Sequence, residues 1–368
     1  MALNCGIVGL PNVGKSTIFS ALSSAPAEAA NYPFCTIQPN VGIVNLEDER
    51  LTKLAELFKP QRTIPAMVEF VDIAGLVRGA SKGEGLGNQF LAHIREVGVI
   101  AHVVRCFEDP DIIHVDNRID PQSDMETIAI ELALADLDTL AKRRDRAERS
   151  FKVQAKAEQK AAEMVLAVLD KISAALEQGR PARQVLLSDD EKAVIYDCHF
   201  ITMKPQIYVC NVDEAGIRQG SPLVSAVQQR AHAEGSEGVI ICGKFEAELA
   251  GIEDPEERRA FLRDLGLPES GLSALVQAAY RLLGLSTFFT AGVDECRAWT
   301  IHTGDTAPKA AGTIHTDFEK GFIKAEVYAY EDILRYGTEA KIKEAGKYRI
   351  EGKDYIVRDG DVMFFRFN

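Results

Sequence analysis

The sequence has no apolar run of the ~20 residues that a membrane-crossing helix needs. It also has no basic-then-apolar leader. The expectation is therefore a cytoplasmic protein that meets no membrane. Its seven cysteines, at positions 5, 35, 106, 198, 210, 242 and 296, include no C-x-x-C pair. That argues against a zinc site or a disulfide scaffold and fits a reducing compartment. Cys35 stands apart because it precedes Thr36 in a stretch without clear period, where oxidation could lock the loop; the plain alternative is an ordinary loop thiol. Positive charge is in deficit, with 42 Lys and Arg against 55 Asp and Glu and a net charge of −13. DNA is not an expected partner. The 368 residues, 46% hydrophobic, suffice for two or three globular domains.

What the chain does have begins at Gly9. Residues Gly9 to Ser16 read Gly-Leu-Pro-Asn-Val-Gly-Lys-Ser, the phosphate-loop pattern G-x-x-x-x-G-K-[ST]. Its glycines let successive backbone N–H groups turn toward phosphate oxygens. Lys15 supplies a point charge, Ser16 a ligand for Mg²⁺, and a helix opening near Gly14 its positive end. The apolar run Leu3 to Val8 reads as a buried strand, and Ile18, Phe19 and Leu22 recur at helical spacing. The expected nucleotide contacts here are Asn12, Val13, Gly14, Lys15, Ser16 and Thr17, with Lys15 also catalytic.

A second apolar run, Met67 to Val71, ends in Asp72-Ile73-Ala74-Gly75, the D-x-x-G of switch nucleotide hydrolases. Asp72 would hold Mg²⁺ through its water shell, and Gly75 would offer its N–H to the γ-phosphate. Thr36, between the two motifs, is read as the residue that closes over Mg²⁺ and the γ-phosphate. The metal set is thus Ser16, Thr36 and Asp72, and the catalytic set Lys15, Thr36 and Gly75. Leu76 stands where related enzymes place a water-orienting Gln, so intrinsic hydrolysis should be slow. Asn12 could help hold K⁺, which would then act as an arginine finger does; the alternative is a bond to neighbouring backbone.

The base-reading element departs from the GTPase norm. After Ile207 to Cys210 come Asn211-Val212-Asp213-Glu214, where GTPases carry Asn-Lys-x-Asp. A carboxylate accepts guanine's two adjacent donors; adenine lacks the 2-amino group, and its N1 is an acceptor. Its 6-amino group could be met by Asn211 or a carbonyl. Asn211, Val212 and Glu214 therefore favour ATP, with a GTPase of relaxed base choice as the alternative.

The stretch Gly79-Ala80-Ser81-Lys82-Gly83-Glu84-Gly85-Leu86-Gly87-Asn88-Gln89-Phe90-Leu91 resembles the second switch of Obg-related proteins. Such a glycine-rich loop would be ordered by a triphosphate and not by a diphosphate. Together with Asn-Tyr-Pro-Phe-Cys-Thr and Asn-Val-Asp-Glu, it makes the whole chain resemble the YchF-type Obg-like ATPases. The resemblance implies a ribosome-associated ATPase of slow turnover, with a hydrophobic residue in place of the catalytic Gln, as Leu76 is. The last guanine-type motif, usually Ser-Ala-Lys, is poorly preserved at Cys242-Gly243-Lys244.

Asp72 and Asn211 are 139 positions apart, about twice the separation in a minimal nucleotide domain. Met125, Ile128, Leu132 and Ala135, then Ala161, Val165, Val168, Ile172 and Leu176, read as two antiparallel amphipathic helices inserted between them. Residues 141 to 160 hold eight cations (Lys142, Arg143, Arg144, Arg146, Arg149, Lys152, Lys156, Lys160) against Asp145, Glu148 and Glu158. That is the charge an RNA contact would need, although a solvated helix surface is the plain alternative. From Leu285 short strands and glycine turns take over. The segments Gly304-Asp305-Thr306-Ala307-Pro308, Lys320-Gly321-Phe322 and Asp359-Gly360-Asp361 resemble the β-grasp TGS domain.

The expected fold is α/β: a P-loop nucleotide-hydrolase domain with a mostly parallel sheet (residues 1–121 and 201–284), an inserted antiparallel coiled-coil arm (122–200), and a C-terminal β-grasp TGS domain (285–368). The expected function is a monomeric regulatory ATPase that couples its nucleotide state to docking on the ribosome and ribosomal RNA. A small-molecule phosphotransferase is the main alternative of another class, and no motif for its acceptor pocket or lid arginines is present. A scaffold that binds ATP and hardly turns it over is the third reading.

Overall fold

The structure, a computed structural model, describes residues 4–24, 40–73, 86–112, 114, 118–153, 156–252 and 254–368. Its strands, in chain order, are β1 (Asn4–Val8), β2 (Val41–Asn45), β3 (Arg62–Ile64), β4 (Met67–Asp72), β5 (Val99–Arg105), β6 (Gln206–Asn211), β7 (Glu237–Ile241), β8 (Leu285–Ala291), β9 (Glu295–His302), β10 (Phe322–Ala329), β11 (Arg349–Glu351) and β12 (Asp361–Phe367). The chain parts into two units. The described residues of the first fall within Met1–Ala25, Ala29–Gly42 and Glu69–Leu275; those of the second fall within Ile43–Val68 and Val276–Asn368.

In the first unit the strands run β4-β1-β5-β6-β7. The neighbours β4/β1, β1/β5, β5/β6 and β6/β7 are all parallel. Every residue of β5 (Val-Ile-Ala-His-Val-Val-Arg) and of β6 (Gln-Ile-Tyr-Val-Cys-Asn) is buried, as a parallel sheet covered on both faces requires. The register sets Ile7 beside Asp72, Val8 beside His102, Arg105 beside Asn211 and Asn211 beside Ile241, with the parallel strands pointing the same way. The loops after β1, β5, β6 and β7 therefore leave one edge. Strand order reverses between β1 and β5, the place where open parallel sheets bind ligands.

The inserted arm is the helix Pro121–Val153 followed by the helix Lys156–Glu177. Thirty-three residues make the first about 50 Å long. Leu140 and Ala147 of the first helix meet Val165, Val168, Leu169, Ile172 and Leu176 of the second in one apolar core. Gly179, at φ 71°, lies just beyond the second helix in the left-handed region expected there. The root is pinned by Asp136, fully buried, which accepts from the Ile201 N–H (2.8 Å), the Thr202 N–H (2.7 Å) and the Thr202 hydroxyl (2.7 Å). Among the described residues no helix is long and apolar enough to cross a membrane.

The second unit is a mixed sheet in the order β11-β10-β12-β8-β9-β3. The helix Ala307–Ile314 lays Ala307, Ala310 and Ala311 against Phe288, Met363 and Phe365; its alanines permit close approach. Residues 43–68, read from sequence as part of the nucleotide domain, group with this unit. Within them the helix Glu49–Phe58 is capped by Asp48, and its Arg50 bridges Asp48 (2.8 Å) and Asp359 (2.5 Å). Tyr355-Ile356-Val357 has a strand's composition but forms an isolated bridge, from Ile356 to Thr306. The Tyr355 hydroxyl there donates to Asp361 (2.6 Å) and accepts from Arg349 (3.1 Å).

His102, in the middle of the first sheet, is 1% exposed and lies 3.3 Å from the Gln206 amide. Burial, joined by the positive charges of Arg230, Lys15 and Arg183, pulls its pKa from 6.5 down to about 3. The unfolded chain therefore binds this proton first, so the stability held above pH 6.5 should drain away as pH falls from 6.5 toward 3. On the order of 2 kcal/mol should be lost by pH 5. Urea midpoints across that range should fall less steeply for His102→Gln; an identical slope in the variant refutes the assignment.

Candidate functional site

β1 stops at Val8, and the helix Lys15–Ser24 begins one loop later, with the Ile18 N–H on the Gly14 carbonyl (3.1 Å). Asn12 takes φ 62° and Gly14 φ 93°. A Cβ on Gly14 would run into the Asn211 amide, so this position needs glycine for space as well as for its dihedral. The Lys15 ammonium donates to the Gly9 carbonyl (3.0 Å). Burial lowers the Lys15 pKa, with Asp72 opposing the shift; burial raises the Asp72 pKa, with Lys15 opposing. Both groups thus move toward neutrality, and desolvation outweighs their mutual attraction.

Asp72 also carries a buried Oδ1 that has no hydrogen-bond partner among the described residues. An orphaned hard carboxylate oxygen that feels the charge of Lys15, the chain neighbour of Ser16, suits Mg²⁺, either directly or through its water shell. The residues present therefore fit the metal. Thr36, Cys35, Gly75 and Leu76 lie outside the described residues.

The base-side loop starts at Asn211, the last residue of β6. Its Nδ2 donates to the Val13 carbonyl (2.9 Å), and its Oδ1 accepts from the Gly243 N–H (3.1 Å). The side chain that sequence reading offered to the adenine amino group thus already joins the phosphate loop to the Cys242-Gly243-Lys244 turn. Val212 is buried, while Glu214 opens a short helix capped by Asp213, whose Oδ1 accepts from the Gly216 N–H (2.7 Å).

These loops surround one cavity of about 920 Å³, lined by the phosphate loop, by residues 211–215 and by Cys242, Gly243 and Lys244. That volume suits a nucleoside triphosphate. Asn12, Gly14, Lys15, Ser16, Thr17, Asn211, Val212 and Glu214 all reach it; Val13 lies behind, buried. Sequence reading missed the fourth wall, Phe107, Glu108, Asp109 and Ile112. The available signal was position: Arg105-Cys106-Phe107-Glu108-Asp109 leaves the carboxyl end of an apolar strand on the functional edge of the sheet.

Comparison with known proteins places the same regions. Residues 4–137 match a family model described as a 50S ribosome-binding GTPase, and residues 285–368 match a YchF GTPase C-terminal model described as a protein of unknown function. The chain is 56% identical over 368 residues to the Ribosome-binding ATPase YchF of Haemophilus ducreyi, with all of both chains covered. It is 52% identical over 370 residues to the protein of that name in Bacillus subtilis, again with full coverage. Among solved structures, the Schizosaccharomyces pombe YchF GTPase superposes with a TM-score of 0.89 at 37% identity, covering 99% of this chain and 97% of that one.

Substituting Gly14→Ala should abolish triphosphate binding measured by calorimetry while leaving the protein folded by circular dichroism. Near wild-type affinity would show that Asn211 can yield its place.

Proposed function

Because this chain belongs to the YchF family, we propose that it is a cytosolic, ribosome-binding ATPase that hydrolyses ATP to ADP and phosphate and changes its grip on the ribosome as it does so. The observation that carries this reading is the cavity walled at one end by a phosphate loop and at the other by residues 211–215. Lys15 would leave the Gly9 carbonyl for the outer phosphates, and the helix opening at Lys15 would add its positive end. Ser16 and Asp72, with Thr36, would hold Mg²⁺, which when bound neutralises charge on the β- and γ-phosphates. Gly75 would offer its N–H to the γ-phosphate. Leu76, in place of the usual glutamine, cannot orient the attacking water by hydrogen bonding, so turnover is slow unless another group supplies that stabilisation; Asn12 lines the cavity, where it would help hold K⁺.

Adenine preference rests on Val212 and Glu214 in place of the lysine and aspartate that clasp guanine. A second reading, GTP hydrolysis, is favoured by the word GTPase in the description of one matching family model and in the name of the fission yeast structure. Ribosomal RNA is the proposed target of the arm. Three of its cations are already engaged: Lys142 with Asp138 (2.7 Å), Arg143 with Asp197 (3.2 Å) and Arg144 with Asp170. Arg146, Arg149, Lys156 and Lys160 are exposed and show no ion pair among the described residues. The second unit serves as a docking module of the TGS kind, and the protein acts as a monomer.

Titration of the purified protein should show ATP bound at least tenfold more tightly than GTP, and Val212→Lys with Glu214→Asp should narrow or reverse that ratio. An unchanged ratio would remove the assigned role of this loop. Glutamate at Arg146, Arg149, Lys156 and Lys160 together should weaken ribosome binding in sedimentation assays. It should also flatten the salt dependence by about one unit of slope for each phosphate that is no longer neutralised. Binding indifferent to the four changes would leave the arm a solvated helix pair.

A further inference from the structure

We propose that Arg105 is the positioning residue of the nucleobase pocket: its buried guanidinium sets the loop 107–112 so that Phe107 forms a stacking wall for the purine. The inference rests on reading the cavity as the nucleotide site and adds to it the residue that shapes the wall sequence motifs did not reveal.

Arg105 ends β5 and is 1% exposed. Each of its three nitrogens donates to the loop that follows. Nε donates to the Phe107 carbonyl (3.2 Å), Nη2 to the Asp109 carbonyl (3.2 Å) and Nη1 to the Ile112 carbonyl (2.9 Å). The guanidinium carbon also stands 4.6 Å from the centroid of the Phe107 ring. Burying a charge is costly unless each donor is met. Here each nitrogen is met by a backbone carbonyl of a single loop, and a planar fork can hold three directions where a lysine ammonium cannot copy the geometry. The loop is closed further by the Ile112 N–H on the Asp109 carbonyl (3.3 Å) and the Asp111 N–H on Asp109 Oδ1 (2.9 Å).

The partner strand completes the arrangement. Arg105 is the register partner of Asn211, and the Cys106 N–H donates to the Asn211 carbonyl (2.8 Å). One strand pair thus launches both walls, Phe107 to Ile112 on one side and Val212 to Ala215 on the other, and both line the cavity. An aromatic ring held by a cation is a rigid, flat surface, and every purine has a face to set on it. The phosphates meet a different part of the cavity, so the effect of Arg105 should be confined to ligands that carry a base.

The test uses the full chain with Mg²⁺ and two probes, ATP and inorganic tripolyphosphate, titrated calorimetrically against wild type, Arg105→Lys, Phe107→Leu and the double variant. ATP affinity should fall tenfold or more in each single variant, tripolyphosphate affinity should change less than twofold, and the double variant should be no weaker than the worse single one. Equal losses for both probes, or additive losses in the double variant, would reduce Arg105 to a general structural role and overturn the proposal. A loss in Phe107→Leu without one in Arg105→Lys would leave the pocket assignment standing and remove Arg105 from it. No preference of the wild type for ATP over tripolyphosphate, with Phe107→Leu silent, would remove the pocket assignment and the proposal together. Should Arg105→Lys fail to fold, hydrogen exchange on the wild type decides: amides in 107–112 should slow with ATP and not with tripolyphosphate, and equal protection by the two, or none by either, overturns the inference.

Discussion

One side-chain amide holds the site in register. Asn211 gives its Nδ2 hydrogen to Val13 in the phosphate loop and takes the Gly243 N–H on its Oδ1, so loops from β1, β6 and β7 share a single fastening. The amide is 5% exposed, and a buried polar group left unpaired costs on the order of 1–3 kcal/mol. Neither loop can drift without incurring that cost. The same amide occupies the space a side chain at Gly14 would need, so the second motif glycine answers to a residue 197 positions later as well as to the ligand. The phosphate half and the base half of the cavity are therefore a unit before any nucleotide enters.

The electrostatics complement this geometry. Lys15 and Asp72 sit in one half-buried region, yet each is shifted toward its neutral form because desolvation outweighs their attraction. A protein could relieve that by exposing the pair to water, but the sheet edge and the loop around Gly9 keep them in. The free energy withheld is recoverable only when charges of opposite sign arrive at each: phosphate oxygens for the ammonium and a divalent cation for the carboxylate. On the proposed reading a metal–triphosphate complex would supply both charges, so burial that is unfavourable on its own would add to its affinity.

The site was legible in the sequence wherever its chemistry is local. Gly9 to Ser16 encode loop, charge and helix start within eight residues, and Asp72 and Asn211 each close an apolar run, so their arrival at one edge follows from parallel register. The remainder depends on contacts distant in sequence. Phe107 to Ile112 carries no motif, only its place after an apolar strand, and it stands out as a wall once Arg105 is seen buried against it. The helix Glu49–Phe58 carries its own cap in Asp48, but what assigns its segment to the second unit includes an ion pair from Arg50 to Asp359, 309 residues on. Tyr355-Ile356-Val357 has a strand's composition. Its backbone instead serves the segment 305–307, with the Val357 N–H on Asp305 and the Ala307 N–H on the Tyr355 carbonyl.

The arm shows why net charge misleads. The chain totals −13, yet the exposed cations Arg146, Arg149, Lys156 and Lys160 lie at the end of the helix pair opposite its root. From Asp136, where the root is fastened, to Val153 is seventeen residues, about 25 Å along the helix. Physiological salt screens exposed charges beyond about 8 Å. The acidic surface of the rest of the chain is therefore nearly invisible at the tip, and a polyanion approaching there meets a local excess of positive charge. Arg143 and Arg144 contribute less than their formal charge, because Asp197 and Asp170 hold them to neighbouring segments of the arm. The division of labour runs along the arm: cations nearer the root join segments together, and those beyond them remain available to a partner.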